Sequence, residues 1–208
     1  MFKAPPALGE RFLAAVHLAA EIHSGRRLGT EIPYMAHLLV VTGLVLEDGG
    51  DEDQAIAAML HDSVEDGGGR QLLERLQREF GERVAEIVAA CSDTLDPQGD
   101  RRSWRERKVA YVAHLPDVYD DGVLRVALAD KVNNARSIVR DYRAEGQALW
   151  DRFTNKSAAD QLWYYDELLR FFSKRRPGPL VEDLQRAVEE FADMLAADTI
   201  EAATYRVG

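Results

Sequence analysis

Four groups able to bind a cation or move a proton stand within six residues, in His61-Asp62-Ser63-Val64-Glu65-Asp66. They follow the apolar run Ala55-Ile56-Ala57-Ala58-Met59-Leu60, which reads as a buried helix. Polar groups at the end of a buried helix are costly unless they satisfy one another or a shared ligand. Two more residues complete a set: His37, and Asp130 in Ala127-Leu128-Ala129-Asp130-Lys131-Val132-Asn133-Asn134. An adjacent His-Asp pair, a distant His and a distant Asp can hold a divalent cation. Such a cation polarises a phosphoryl oxygen and lowers the pKa of water. The residues read as a metal-dependent phosphohydrolase centre.

Imidazole with carboxylate suits Mn²⁺, Fe²⁺, Co²⁺ or Zn²⁺. No thiolate competes: the single cysteine, Cys91, closes the apolar stretch Ile87-Val88-Ala89-Ala90 and reads as a small buried hydrophobe. Neighbours on a helix point about 100° apart, so His61 and Asp62 can both reach one ion, with His37 and Asp130 the candidates to close the sphere. Glu65 and Asp66 stand one turn beyond the pair and are assigned to the attacking water, Glu65 ahead of Asp66. Asn134, one turn after Asp130, is expected to face the same cleft. Singly, each residue has an ordinary reading as a helix end, a core histidine or a solvated turn; their combination carries the argument. His17, His23 and His114 read as structural or surface residues, with His23 next to a loop that could border the pocket.

The elements that must position these groups are helical nearly throughout. A first helix over about residues 8–24 would bury Leu8, Phe12, Ala15, Val16, Ala19, Ala20 and Ile22. After a loop with two glycines and Pro33, a second helix begins near Tyr34 and ends before Gly49-Gly50. Asp51 with Gln54 predicts a cap for the helix that carries His61 and Asp62. Gly67-Gly68-Gly69 ends that segment, and two short helices follow, split at Gly81. Residues 94–102 read as a loop. Helices are then predicted around Trp104–His114, Val123–Tyr142 and Lys156–Ser173. Beyond the breaker Arg176-Pro177-Gly178-Pro179, a last helix from about Leu180 carries an apolar stripe of Leu184, Val188, Phe191 and Leu195. The expectation is an all-α, single-domain bundle with the metal site in a central cleft. Residues 1–175 form the hydrolase domain, and 176–208 a C-terminal helix packed on it or on a partner subunit.

A net charge of −10 argues against nucleic acid or an anionic membrane surface as the main partner, and no apolar stretch is long enough to span a bilayer. The N-terminus lacks the pattern of a signal peptide, and one cysteine fits a reducing cytoplasm. A small phosphorylated substrate remains open to such a chain, because a cation and an arginine or two supply the local positive charge.

Four segments in order, 27–37, 61–66, 80–84 and 129–136, resemble the HD-domain hydrolases. The similarity spans about residues 8–170. It is strongest to the hydrolase half of the RelA/SpoT alarmone enzymes and their stand-alone small relatives. The resemblance implies an all-helical HD fold with one Mn²⁺ on His37, His61, Asp62 and Asp130, and Glu65 and Asp66 serving the water. It places Arg27 against the nucleotide base, with Asn134 and Ser137 facing the nucleotide. The implied reaction removes the 3′-pyrophosphate of (p)ppGpp, leaving GDP or GTP. Two positions depart from the pattern: Leu28 stands where many relatives have lysine, and Asn133 where histidine is usual. The lost cation keeps one alternative open, an HD phosphatase for another nucleotide, such as NADPH or a nucleoside monophosphate. A second alternative is a non-catalytic nucleotide-binding module, against which the pair Glu65 and Asp66 counts. A homo-oligomer is compatible with all three.

Overall fold

Every residue from Gln54 to Leu60 is buried, which puts their helix at the centre of the packing. In the computed structural model, which describes residues 7–92, 94–95 and 102–205, this helix is α3 (Glu52–Leu60). Three others pack on it: α1 (Glu10–Ile22), α2 (Tyr34–Glu47) and α6 (Glu82–Cys91). Ala55, Ala57 and Ala58, with no exposed surface, let the surrounding helices approach closely. Asp51 caps α3 as predicted, its carboxylate accepting from the Gln54 N–H at 3.0 Å.

The glycine run is a joint. It separates α4 (Ser63–Gly67) from α5 (Gly69–Phe80), and Gly68 turns the chain at φ +130°. At Gly81, φ +96° makes the second predicted break, between α5 and α6. Leu72, Leu76 and Phe80 form the buried stripe of α5. Next come α7 (Trp104–His114), opened by a Ser103–Glu106 capping box, a 3-10 turn at Leu115–Asp117, and α8 (Asp121–Glu145). The Arg125 Nε on α8 donates to Asp48 at 2.9 Å; both side chains are largely buried, so the pair ties α8 to the end of α2. Leu124, Ala127, Leu128, Ala129 and Val132 of α8 are in the core, and Asp130 is the buried polar residue among them.

The packing forms two units, one ending at Asp130 and one beginning at Lys131, with α8 running from the first into the second. The second unit continues with a 3-10 stretch, Gly146–Arg152, then α9 (Ala158–Arg175) and α10 (Pro179–Tyr205), which pack together. Leu184, Val188 and Phe191 of α10 are buried as predicted, and Leu195 is half-buried. Tyr142, Trp150 and Phe191 cluster within ring-centroid distances of 5.5–6.3 Å. Arg136 and Arg143 of α8 pair with Asp183 and Glu190 of α10. Among the described residues there is no strand, only an isolated bridge between Arg26 and Pro33. None of their helices is long and apolar enough to cross a membrane.

Three expectations need correction. The buried stripe of α1 is Ala15, Leu18 and Ala19, while Leu8 and Ala20 are exposed; the helix is turned slightly so that Leu18 takes the core position. His61 and Asp62 are not inside one helix: α3 ends at Leu60 and Asp62 starts α4, although both keep right-handed backbone angles. The apolar period runs through this break, which hides it from the sequence. Cys91 is half-buried at the end of α6 rather than in the core. Most of the predicted loop over 94–102, including Asp96-Pro97-Gln98-Gly99-Asp100, lies outside the described residues.

Candidate metal centre

His37 comes from the first turn of α2, His61 and Asp62 from the joint between α3 and α4, and Asp130 from α8. Their polar atoms converge. The two Nε2 atoms are 3.3 Å apart, and Asp62 Oδ2 lies 3.3 Å from that of His37 and 3.2 Å from that of His61. Asp130 Oδ1 lies 3.4 Å from the first and 3.5 Å from the second. His37, His61 and Asp130 are buried, and the Asp62 side chain is 25% exposed, so the cluster opens on the Asp62 side.

The donor set fits a divalent cation. Ligand atoms sharing one ion at about 2.1 Å stand roughly 3.0–3.4 Å from one another, close to the spacing of the His37, His61 and Asp62 atoms. The His61 Nδ1 lies 2.8 Å from the Ala58 carbonyl, which accepts its proton. In the neutral ring the Nε2 lone pair therefore points into the cluster, as in metal-binding histidines oriented by a backbone carbonyl. Two imidazole nitrogens and the Asp62 carboxylate then face one small volume that calls for positive charge, with Asp130 Oδ1 beside both nitrogens. Burial opposes protonation of His61, but Asp62 and Asp130 outweigh it and hold its pKa well above the ordinary histidine value. Burial also opposes ionisation of Asp62, yet His61 and His37 keep its carboxyl well below the usual range.

Around this cluster lies a layer of which the sequence marked only His23, as a residue beside a loop that could border the pocket. The Tyr34 hydroxyl donates to Asp62 Oδ2 at 2.6 Å. Burial, with the Asp62 charge, pushes the phenol far above its ordinary pKa, so it stays a donor. The Tyr34 ring stacks on buried His23, centroids 4.7 Å apart and planes 10° from parallel. His23 in turn reaches Ser63 Oγ at 3.2 Å and Asp66 Oδ2 at 3.4 Å. One signal was available: Tyr34 precedes His37 by three residues, so the two share a helix face. The link to His23 had no such sign, because it depends on the loop bringing the end of α1 to the start of α2. That loop closes through the Arg27 N–H to Ile32 O at 2.8 Å and the Tyr34 N–H to Gly25 O at 3.0 Å.

The other predicted residues are placed as follows. Glu65 is half-buried and Asp66 exposed, both on α4. Arg27 holds its guanidinium 5.6 Å from the Tyr34 ring centre, whereas Arg26 points to Glu31 and is 63% exposed in its side chain. Arg27 thus stands over Tyr34, which itself donates to Asp62. Asn134 and Ser137 are half-buried on α8, four and seven residues beyond Asp130, in the second unit.

Residues 15–159 match the HD domain family. The chain belongs to that family. This HD domain is 31% identical over 126 residues to guanosine-3′,5′-bis(diphosphate) 3′-pyrophosphohydrolase of Haemophilus influenzae, covering 58% of the chain and 18% of that protein. It is 28% identical over 134 residues to the bifunctional (p)ppGpp synthase/hydrolase SpoT of Escherichia coli K12, covering 62% of the chain and again 18% of the relative. The chain thus matches under a fifth of the length of these curated relatives. Among solved structures it resembles a metazoan ortholog of SpoT that hydrolyzes ppGpp, with a TM-score of 0.69 at 21% identity, covering 88% of this chain and 96% of that one. A Listeria monocytogenes protein gives 0.62 at 24% identity, covering 74% and 96%. These likenesses establish the all-helical HD fold.

Proposed function

We propose that this HD domain is a guanosine-3′,5′-bis(diphosphate) 3′-pyrophosphohydrolase, converting (p)ppGpp to GDP or GTP and pyrophosphate. The observation that carries the reading is the four-donor cluster of His37, His61, Asp62 and Asp130, in a domain whose relatives bear that name. We assign these four as ligands of Mn²⁺, with Fe²⁺, Co²⁺ and Zn²⁺ compatible with the same donors. When bound, the cation supplies charge to the phosphoryl oxygens and acidity to water. Glu65 takes the proton of the attacking water, with Asp66 beside it on α4. Water adds across the bond between the 3′-oxygen and its phosphorus; the oxygen leaves with a proton as the 3′-hydroxyl. Arg27 lies against the base, and Asn134 and Ser137 contact the nucleotide. Residues 1–175 are the hydrolase domain and 176–208 an appended helix, working on a small nucleotide in the cytoplasm.

The test is pyrophosphate release from ppGpp in Mn²⁺, wild type beside Asp62→Ala and Glu65→Ala. Release by the wild type, with each variant reduced by 10²-fold or more, is the expected result. No release from ppGpp by metal-loaded wild type sinks the substrate assignment. A second reading is favoured by Leu28, which is 63% exposed where a cation would be expected beside Arg27. It makes the substrate another nucleotide, and higher rates on NADPH or a nucleoside monophosphate than on ppGpp decide for it.

A further inference from the structure

We infer that Tyr34 is a positioning residue for the metal centre: its hydroxyl fixes the Asp62 carboxylate, and His23 fixes its ring. The inference rests on the metal-centre reading above but not on the identity of the substrate. Asp62 is the most exposed of the four groups and stands at a helix joint rather than inside a helix, so packing constrains it least. The Tyr34 hydroxyl lies 2.6 Å from Oδ2, the same oxygen that stands within 3.3 Å of both histidine nitrogens. A carboxylate oxygen has two lone pairs, so one can accept from the phenol while the other faces the cluster.

The ring is held independently of that bond. His23 stacks on it, nearly parallel, and the edge of His37 meets it at 85°. His23 is itself anchored to the turn that carries the acids, by Ser63 Oγ and Asp66 Oδ2. The two rings thus join both ends of the 23–34 loop to the His61–Asp66 segment. Outer partners of this kind change metal affinity by roughly 10–100-fold when removed.

The test is Co²⁺ and Mn²⁺ binding by titration calorimetry, for Tyr34→Phe in the wild-type and the Asp62→Asn backgrounds. Phenylalanine keeps the stack and removes only the hydroxyl. A loss of threefold or more in affinity in the wild-type background, absent in the Asp62→Asn background, is expected. A smaller loss overturns the inference. So does an equal loss in both backgrounds, which would mean that Tyr34 acts by loosening the fold rather than through Asp62. Because no substrate is involved, these outcomes stand whether or not ppGpp is turned over.

Discussion

Asp62 serves three neighbours with one carboxylate: it faces His37 and His61, accepts from Tyr34, and opens α4. His37, His61, Asp62 and Asp130 were all legible in the sequence because their types are costly among apolar helices. Tyr34 was not, and His23 only as a neighbour of a loop that could border the pocket, since a tyrosine and a histidine at helix ends are ordinary until a loop stacks them. A simpler residue shows how a single acid supports this scaffold. Burial works against the Asp51 charge, but the Gln54 N–H and Arg83 outweigh it and hold the carboxyl below its ordinary pKa. Its stabilisation is therefore present above the unfolded value, about 3.9, and is lost as pH falls through the folded value. Asp51→Ala should cost about 1 kcal/mol at pH 7 in urea unfolding, the usual worth of such a cap. The gap from wild type should narrow as pH falls below the unfolded value; a gap that stays constant through acid titration would mean the cap acts without its charge.

At the scale of elements, helical period and glycine punctuation located α2, α5, α6 and α8 to within a few residues. They could not show the break between α3 and α4, because the apolar pattern crosses it, nor the exact face of α1. The α4–α5 joint makes two distinct demands on its glycines. A Cβ on Gly67 would meet Leu72 Cδ2 at 2.9 Å and Ile22 Cγ2 at 3.0 Å, so space is the constraint there. At Gly68 the nearest atom would be 4.0 Å away, and the constraint is φ +130° alone. Gly68→Ala should destabilise by about 1–3 kcal/mol through backbone strain, roughly 2–12 °C in Tm for a chain of this size. An unchanged melting temperature by calorimetry would show that the joint relaxes freely.

For the whole molecule, the all-α class was readable from the helical period, and the HD fold from the resemblance that four ordered motifs carry. The division of the packing at Asp130 was not, because α8 passes through it without a break in helical pattern. A cation that binds only the folded cluster should raise stability by about 2.7 kcal/mol at a hundred times its Kd. Added Mn²⁺ should raise the Tm of the wild type reversibly, with EDTA undoing the shift, and leave His37→Ala unmoved. An equal rise in both would place the ion elsewhere. That division also bears on synthesis. Every group of the cluster lies at or before Asp130, the final residue of the first unit. At about 5–20 residues per second, residues 131–208 need roughly 4–16 s more to leave the ribosome, against microseconds for helix formation. The nascent chain thus carries all four candidate ligand residues for seconds before α9 and α10 are made.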